Sequence, residues 1–536
     1  MSIIINTTGA HPGVYKTTLY SSICSASYKN GHYTAMGNTL ISSLGLNAVD
    51  IPHLAVTFAI WVTALSAVSF TFRVFYNIFL HPLRKFPGPL VGRSTQLWQL
   101  YKVWSGGLPQ KVRELHEEYG PVVRIAPNEL SFIESQAWKD IYGHHGSYEM
   151  AKDPVFYRPQ GRYQPDTILS ADRDHHSMLR RQLAHGFSER SMQAQEPIIR
   201  EYVDLLMHRL EEHCDHGSLE FTSIFNFATF DIIGDLAFGN SFGCLDTWQY
   251  HPWIKTLTQN LRDLATMRIL MTFVPSIVNY LLVQTGVLKG RKEFISYSRD
   301  MIRKRQALEA ERPDLIEGLL KKDNLTEGDL VVNASLLILA GSETTATLLS
   351  GAAFLLGSNR DALAKLTHEV RSSFNSEDEI TLLSVNKLSY MLACLNEALR
   401  LYPPVAGGLP RIVPNGGHEI AGHWVPEGTS VAIWQWAINH SPMNFSKPGE
   451  FHPERFLGDE RFSKDDLAAM QPFSVGPRNC IGRNLAYAEM RLILARILYK
   501  FDLELAPDSE NWIRNQKTQT LWEKGRLNFY VKNIRK

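Results

Sequence analysis

From Leu54 to Phe72 the chain passes through roughly 19 residues without a charge, the length a bilayer core demands. The pattern predicts one transmembrane helix at 54–72. A second apolar stretch opens at Thr326, which makes a capping pair with Asp329 three residues on. Leu330-Val331-Val332 and Leu336-Leu337-Ile338-Leu339-Ala340 follow, so 326–357 reads as a single helix. At about 1.5 Å per residue it would run roughly 45 Å, and its apolar faces all round place it in the interior. Helical periodicity also marks Asn484 to Lys500 (Leu485, Ala488, Leu492, Ile493, Ile497) and about Asp174 to Gly186. Strand signals are fewer. Pro121-Val122-Val123-Arg124-Ile125 and Glu129-Leu130-Ser131-Phe132-Ile133 flank an Ala-Pro-Asn turn and predict a hairpin, and Ile420 through Ile433 predicts another. The fold class is mainly α with a smaller β-rich part.

Composition narrows the picture. With 44% hydrophobic residues and 55 basic against 54 acidic side chains among 536, the chain lacks the basic excess of a nucleic-acid binder. Arg73, Arg84, Lys85 and Arg93 follow the apolar span, whereas Asp50 and His53 precede it. The positive-inside rule then leaves 1–53 lumenal and the rest cytosolic. A cleaved signal is disfavoured by the bulky Val74-Phe75-Tyr76 after the run. A mitochondrial transit peptide stays open, since 1–49 is Ser/Thr-rich without acids, but it also lacks arginine. If lumenal, Asn6-Thr7-Thr8 is a glycosylation sequon, while those at Asn324, Asn333 and Asn444 should stay bare. The five cysteines (Cys24, Cys214, Cys244, Cys394, Cys480) show no pairing pattern, as suits a reducing compartment. Prolines in His81-Pro82-Leu83-Arg84-Lys85-Phe86-Pro87-Gly88-Pro89 predict a stiff basic hinge, 73–90, ahead of one catalytic domain, 91–536.

The candidate chemistry lies in Phe473-Ser474-Val475-Gly476-Pro477-Arg478-Asn479-Cys480-Ile481-Gly482. Gly476 and Gly482 let the backbone approach a flat macrocycle, and Arg478 offers a permanent cation for a heme propionate. Phe473 would pack beside the sulfur. Cys480, just before a helix N-terminus, suits an anionic sulfur ligand that favours O–O cleavage on heme iron. The alternative is a buried structural cysteine in a Gly-containing turn. This segment resembles the heme-binding signature of the cytochrome P-450 family, the heme-thiolate monooxygenases, and motifs spanning 87–482 follow in that family's order. The proline-rich hinge resembles that of microsomal members, and several motifs are similar to fungal members that tailor secondary metabolites.

The resemblance carries several expectations. In Ala340-Gly341-Ser342-Glu343-Thr344-Thr345 it implies that Gly341 makes room for dioxygen, Thr344 stabilises iron-bound peroxide and Glu343 feeds protons; read alone, the stretch is equally a Ser/Thr-rich kink. His176 and Arg180, at i and i+4, become propionate partners, with a solvated basic face as the competing reading; Arg181 becomes a candidate for a redox-partner face. Arg411, in Pro410-Arg411-Ile412-Val413-Pro414, is a further propionate candidate. Glu397, Arg400 and Arg455 are expected to form a buried structural network. The substrate pocket falls on Phe156, Tyr157, Ile168, Ala340, Thr344 and the turn 405–409.

Together these imply a cytochrome P450-like fold behind a membrane anchor in the endoplasmic reticulum, with heme b as cofactor. NADPH electrons would arrive through NADPH-cytochrome P450 reductase, with cytochrome b5 as a second partner. The substrate would be a lipophilic small molecule, such as a terpenoid or polyketide, that gains one oxygen atom. Desaturation, ring rearrangement or coupling on the same heme is the alternative outcome, and a heme sensor or carrier without turnover the remote one.

Overall fold

The computed structural model describes residues 50–146, 149–157, 165–255, 289–308, 312–321, 325–514 and 516–535. Asn6, Cys24 and most of the expected lumenal segment lie outside them. The chain divides into two compact units, the first ending at Phe75 and the second running from Tyr76. The first unit's described part is one helix, α1 (Asp50–Phe75), longer at both ends than the expected 54–72: Pro52 falls in its first turn, where proline is tolerated, and neither proline nor glycine follows before Phe75.

The second unit is built around two long helices, α4 (Phe221–Phe238) and α6 (Glu327–Ser358), which pack along each other. Helix α6 starts where the sequence predicts. The Thr326 hydroxyl accepts from the Asp329 N–H while the Asp329 carboxylate accepts from the Thr326 N–H, satisfying two donors that a helix start leaves unpaired. Around this pair lie α2 (Arg173–Leu183), α3 (Glu189–His213), α5 (Lys289–Ala307), α7 (Arg360–Ser373), α8 (Ser389–Leu401) and α9 (Arg483–Lys500).

The β-rich part is small. Strands β1 (Val122–Ala126) and β2 (Glu129–Phe132) form the expected hairpin. With β3 (Ala151–Lys152), β5 (Arg411–Ile412) and β8 (Ser430–Ile433) they make a five-stranded sheet in the order β1-β2-β8-β5-β3. The second expected hairpin, Ile420 through Ile433, needs correction. Its first half is a hairpin of β6 (His418–Ile420) and β7 (His423–Val425), but β8 leaves it and inserts parallel to β2. All four β8 residues are buried, so that strand needs two sheet neighbours rather than a solvated edge. A second sheet joins β4 (Ser218–Glu220), β12 (Asn528–Asn533) and β9 (Phe501–Leu505), and β10 (Lys517–Thr518) pairs with β11 (Trp522–Glu523).

Two features fix the frame of the site. Glu397 and Arg400 of α8 are fully buried and paired through two hydrogen bonds of 2.8 and 2.7 Å. Arg455 adds its guanidinium to Glu397 at 3.4 Å and pairs with Asp465, so the expected network exists and gains a fourth member. Arg400 also donates to the carbonyls of Asn439, Pro448 and Glu450, which holds the meander before the cysteine loop against α8. The sequons at Asn333 and Asn444 are buried, and the Asn444 amide donates to Ile133 and Ile438 carbonyls, leaving no room for a glycan.

Candidate active site

The cysteine loop turns on residues that tolerate a left-handed backbone. Ser474 (φ 58°) and Gly476 (φ 74°) both adopt it. A side chain at Gly476 would put its Cβ 1.9 Å from the Tyr142 carbonyl oxygen, so only glycine closes this turn against the end of the 136–142 helix. The Cys480 N–H donates to the Phe473 carbonyl at 2.8 Å, and Gly482 is the residue from which α9 starts. Phe473 packs on Tyr487, with ring centroids 5.3 Å apart, and lies under the Arg483 guanidinium; its carbonyl, rather than its ring, makes the recorded contact with Cys480.

Cys480 differs from Cys214, Cys244 and Cys394, which are buried thiols. Its own residue is exposed to solvent although protein atoms crowd around the sulfur. That crowding pushes the thiol above its ordinary range; the Gly482 N–H, Arg180 and Arg483 pull the other way.

On α6 the same signature recurs. Most of this helix is buried, but Ala340 is exposed and Thr344, one turn on, is only half-buried. An exposed alanine in the middle of a core helix marks open space beside it. The Thr344 hydroxyl donates to the Ala340 carbonyl at 2.6 Å, facing the same space. Gly341 does not face it as the resemblance implies: a Cβ there would meet Ile233 of α4 at 2.7 Å, so this glycine lets α4 and α6 approach closely. Glu343 is buried and salt-bridged to Lys524, whose ammonium also donates to the Thr347 hydroxyl at 2.8 Å.

Four expected cation positions converge. Arg478 donates to Glu149 at 2.6 and 2.9 Å and to the Ala171 carbonyl at 2.9 Å. Arg180 holds Asn479 by its backbone carbonyl (2.6 Å) and its side-chain oxygen, so it braces the residue before Cys480. His176 is buried and pushed down to about 4, first by burial and then by Arg478, Lys152 and Arg180; it is a neutral imidazole at pH 7. Arg411 is buried over the Tyr142 and Tyr157 rings, and its Nη1 has no hydrogen-bond partner. Arg181 is exposed yet lines the same hollow as His176 and Arg180, a space of about 390 Å³ that also touches Glu149 and Pro477.

Sequence reasoning missed Lys152, on the two-residue strand β3, directly opposite Arg411. Burial, then the charges of Arg478 and Arg411, hold its ammonium down to about 6, and it donates to the Leu169 carbonyl. Glu149 was missed too: burial raises it, but the Arg478 guanidinium keeps it below the ordinary carboxylate range. Against Glu149, and against Asp166 whose charge also reaches Lys152, stand the guanidinium groups of Arg478 and Arg411 and a suppressed ammonium. The cluster has an unmet appetite for negative charge, and a buried Arg411 nitrogen without a partner is its clearest sign. A larger hollow of about 560 Å³, lined by Phe473, Arg483, Tyr487 and Arg491, touches none of Ala340, Thr344, Arg411 or Arg478 and is not the reaction chamber.

Residues 82–530 match the Cytochrome P450 family. The chain is 49% identical to cytochrome P450 monooxygenase tpeC of Talaromyces stipitatus over 90% of this chain and 95% of that one. It is 45% identical to averantin hydroxylase of Dothistroma septosporum, covering 89% and 91%, and 45% identical to trichothecene C-15 hydroxylase of Fusarium sporotrichioides, covering 85% and 94%. The fold and site thus define a heme-dependent oxygenase. This chain belongs to the cytochrome P450 family, and it is a P450 monooxygenase. The residues present fit the family's heme iron: Cys480 is exposed on its loop, the buried helix α6 opens at Ala340 and Thr344, and a cation cluster with an orphaned guanidinium suits a dianionic ligand.

Proposed function

We propose that this protein hydroxylates a lipophilic small molecule, of the terpenoid or polyketide kind, with Cys480 as the sulfur ligand of heme b. Heme bound there would supply oxygen activation, which a thiolate ligand favours. The observation that carries the reading is the opening of an otherwise buried helix at Ala340 and Thr344, together with the exposure of Cys480.

This chain's residues divide the remaining work. Arg478, Arg411, Arg180 and Lys152 supply the charge for the propionates, with His176 as a neutral hydrogen-bonding group beside them. Gly476 and Gly482 shape the cysteine loop, and Phe473 anchors the Cys480 N–H. Thr344 holds a hydroxyl at the open face of α6, where it can pass a proton inward; Glu343, one residue before it, takes part from the buried side. Apolar walls near Phe156, Ile168 and the 405–409 turn exclude water and select an apolar substrate.

Helix 54–72 is the anchor in this reading. Val56–Leu80 is long and apolar enough to cross a bilayer and none of it is buried, which supports a single-pass endoplasmic reticulum protein with a cytosolic catalytic domain and a glycan at Asn6. Electrons come from NADPH through cytochrome P450 reductase, with cytochrome b5 as an auxiliary donor. Averantin hydroxylase and trichothecene C-15 hydroxylase among the relatives favour hydroxylation over desaturation or coupling.

The test is mass spectrometry of products from membranes holding this protein and its reductase, given NADPH, heavy-isotope dioxygen and a lipophilic metabolite extract. The expected product gains one labelled oxygen and needs NADPH. An NADPH-dependent product without label would replace hydroxylation by desaturation or coupling.

A further inference from the structure

The hollow of about 560 Å³ behind Phe473 serves none of the chemistry assigned so far, yet its size falls within the roughly 300–1,000 Å³ of small-molecule pockets. It lies among α3, α8 and α9, against the part of the cysteine loop that carries Phe473 and Ser474. Met192, Leu392, Met470, Phe473 and Tyr487 give it an apolar wall, and the two thioethers can adapt to ligands of different outline. The Tyr487 hydroxyl donates to the Asn396 side-chain oxygen at 2.8 Å, which fixes that ring as a platform.

Helix α9 gives the hollow its charge. Arg483, Tyr487 and Arg491 follow at i, i+4 and i+8, so they form one stripe on the helix face. Each guanidinium lies over an aromatic ring: Arg483 over Phe473, 5.9 Å from the ring centre, and Arg491 over Tyr487 at 5.4 Å. Among the described residues neither is ion-paired with a carboxylate. Arg491 donates to the Asn386 side-chain oxygen, and its Nε is buried without a partner. Burial pulls this guanidinium below its ordinary range, a shift that a carboxylate beside it would oppose. Two acids line the hollow from α3. Glu196 already accepts from the Leu382 N–H at 2.9 Å, and Glu189 is exposed in the first turn of that helix. A solvated basic stripe would account for the charges, but not for the hollow or the buried Nε.

We propose that this hollow is a second small-molecule site, which binds a flat aromatic carboxylate and acts on the cysteine loop through Phe473. The ligand's ring lies on the Phe473–Tyr487 wall, and its carboxylate takes the guanidinium forks. The Phe473 carbonyl accepts from the Cys480 N–H, so a ligand packed on the Phe473 ring steadies the backbone that presents Cys480. Binding here needs no turnover, and its failure leaves the monooxygenase reading untouched.

The test uses the full-length, heme-loaded protein with an azole on the iron to block the reaction chamber. Calorimetry measures Kd for 2-naphthoate, 2-naphthamide, 2-naphthylmethylammonium and acetate, and hydrogen exchange locates the bound probe. 2-Naphthoate is expected to bind at least about 10-fold more tightly than the other three, and to lose about 10-fold in R491M and more in R483M/R491M. It is expected to slow exchange within 470–491 and to leave 340–347 unchanged.

Acetate bound as tightly as naphthoate would mean that the guanidiniums take any carboxylate, as a docking face for an acidic protein does, and overturns the small-molecule site. Equal affinity for acid and amide, protection confined to 340–347, an unchanged Kd in R491M, or no measurable binding overturns it as well. Should the arginine variants fail to fold, the probe series and the exchange pattern on wild type decide alone.

Discussion

Lys152 sits between Arg478 and Arg411, two cations that keep their charge, and burial among them brings its ammonium down to about 6. At neutral pH the heme-free cluster therefore holds Lys152 mostly neutral. Two ionised propionates would reverse that balance, so heme binding is expected to draw up to about one proton from solution. A hemin titration of the heme-free protein in weakly buffered indicator dye measures it. K152M is expected to bind hemin without that uptake, and equal uptake in K152M would remove Lys152 from the propionate site. Nothing around Lys152 in the sequence announces this. A lone lysine on a two-residue strand reads as a solvated charge, and the two guanidinium groups that suppress it, Arg411 and Arg478, lie more than 250 residues away. Cys480, Thr344 and Arg478 could be nominated from the sequence because each stands in a short motif, Thr344 through the family resemblance. Lys152, Glu149 and Lys524 could not, because ion pairs between distant segments leave no periodic trace.

At the scale of elements, α6 and α9 were readable almost to the residue. A capping pair marks the first, and the loop glycine before it marks the second. Gly341 was misread, since in one dimension a helical glycine beside a ligand and one beside another helix look alike; Ile233 of α4 decides between them. Strand β8 was misjoined because its order in the chain suggests a hairpin partner, whereas its full burial demands a central place in the sheet. Helix α9 also carries a cost. Glu489 is buried with one carboxyl oxygen unpartnered, and burial pushes it from 4.5 up to about 8. The native state thus binds a proton here that the unfolded chain releases above 4.5. Stability from this group is full below that pH and declines as pH rises toward 8, by up to a few kcal/mol. E489Q is expected to flatten that decline, as thermal unfolding midpoints across the window would show; an unchanged slope would mean the carboxyl finds a partner in solution.

For the whole molecule, composition alone would nominate three membrane spans, since α4 and α6 are as long and apolar as the N-terminal helix requires. Burial separates them. α4 and α6 lie largely inside the core of the second unit, whereas no residue of Val56–Leu80 is buried. The second unit begins at Tyr76 and keeps its own ties near that point: Arg124 donates to the Asn77 carbonyl at 2.9 Å, and the Asn77 amide donates to the Ser94 carbonyl. A chain starting at Tyr76 is therefore expected to fold and load heme. The full chain should resist alkaline carbonate extraction from membranes and the shortened one should not; if both are extracted, α1 is not a membrane span.

In the proposed reading, Cys480 binds the heme iron through its sulfur. The reduced carbonyl spectrum tests it most directly, since the Soret position distinguishes a thiolate from a nitrogen ligand. Wild type is expected to give the thiolate-type band and C480A to lose it. A thiolate-type band that survives in C480A would contradict the claim and send the search for the ligand elsewhere in the chain.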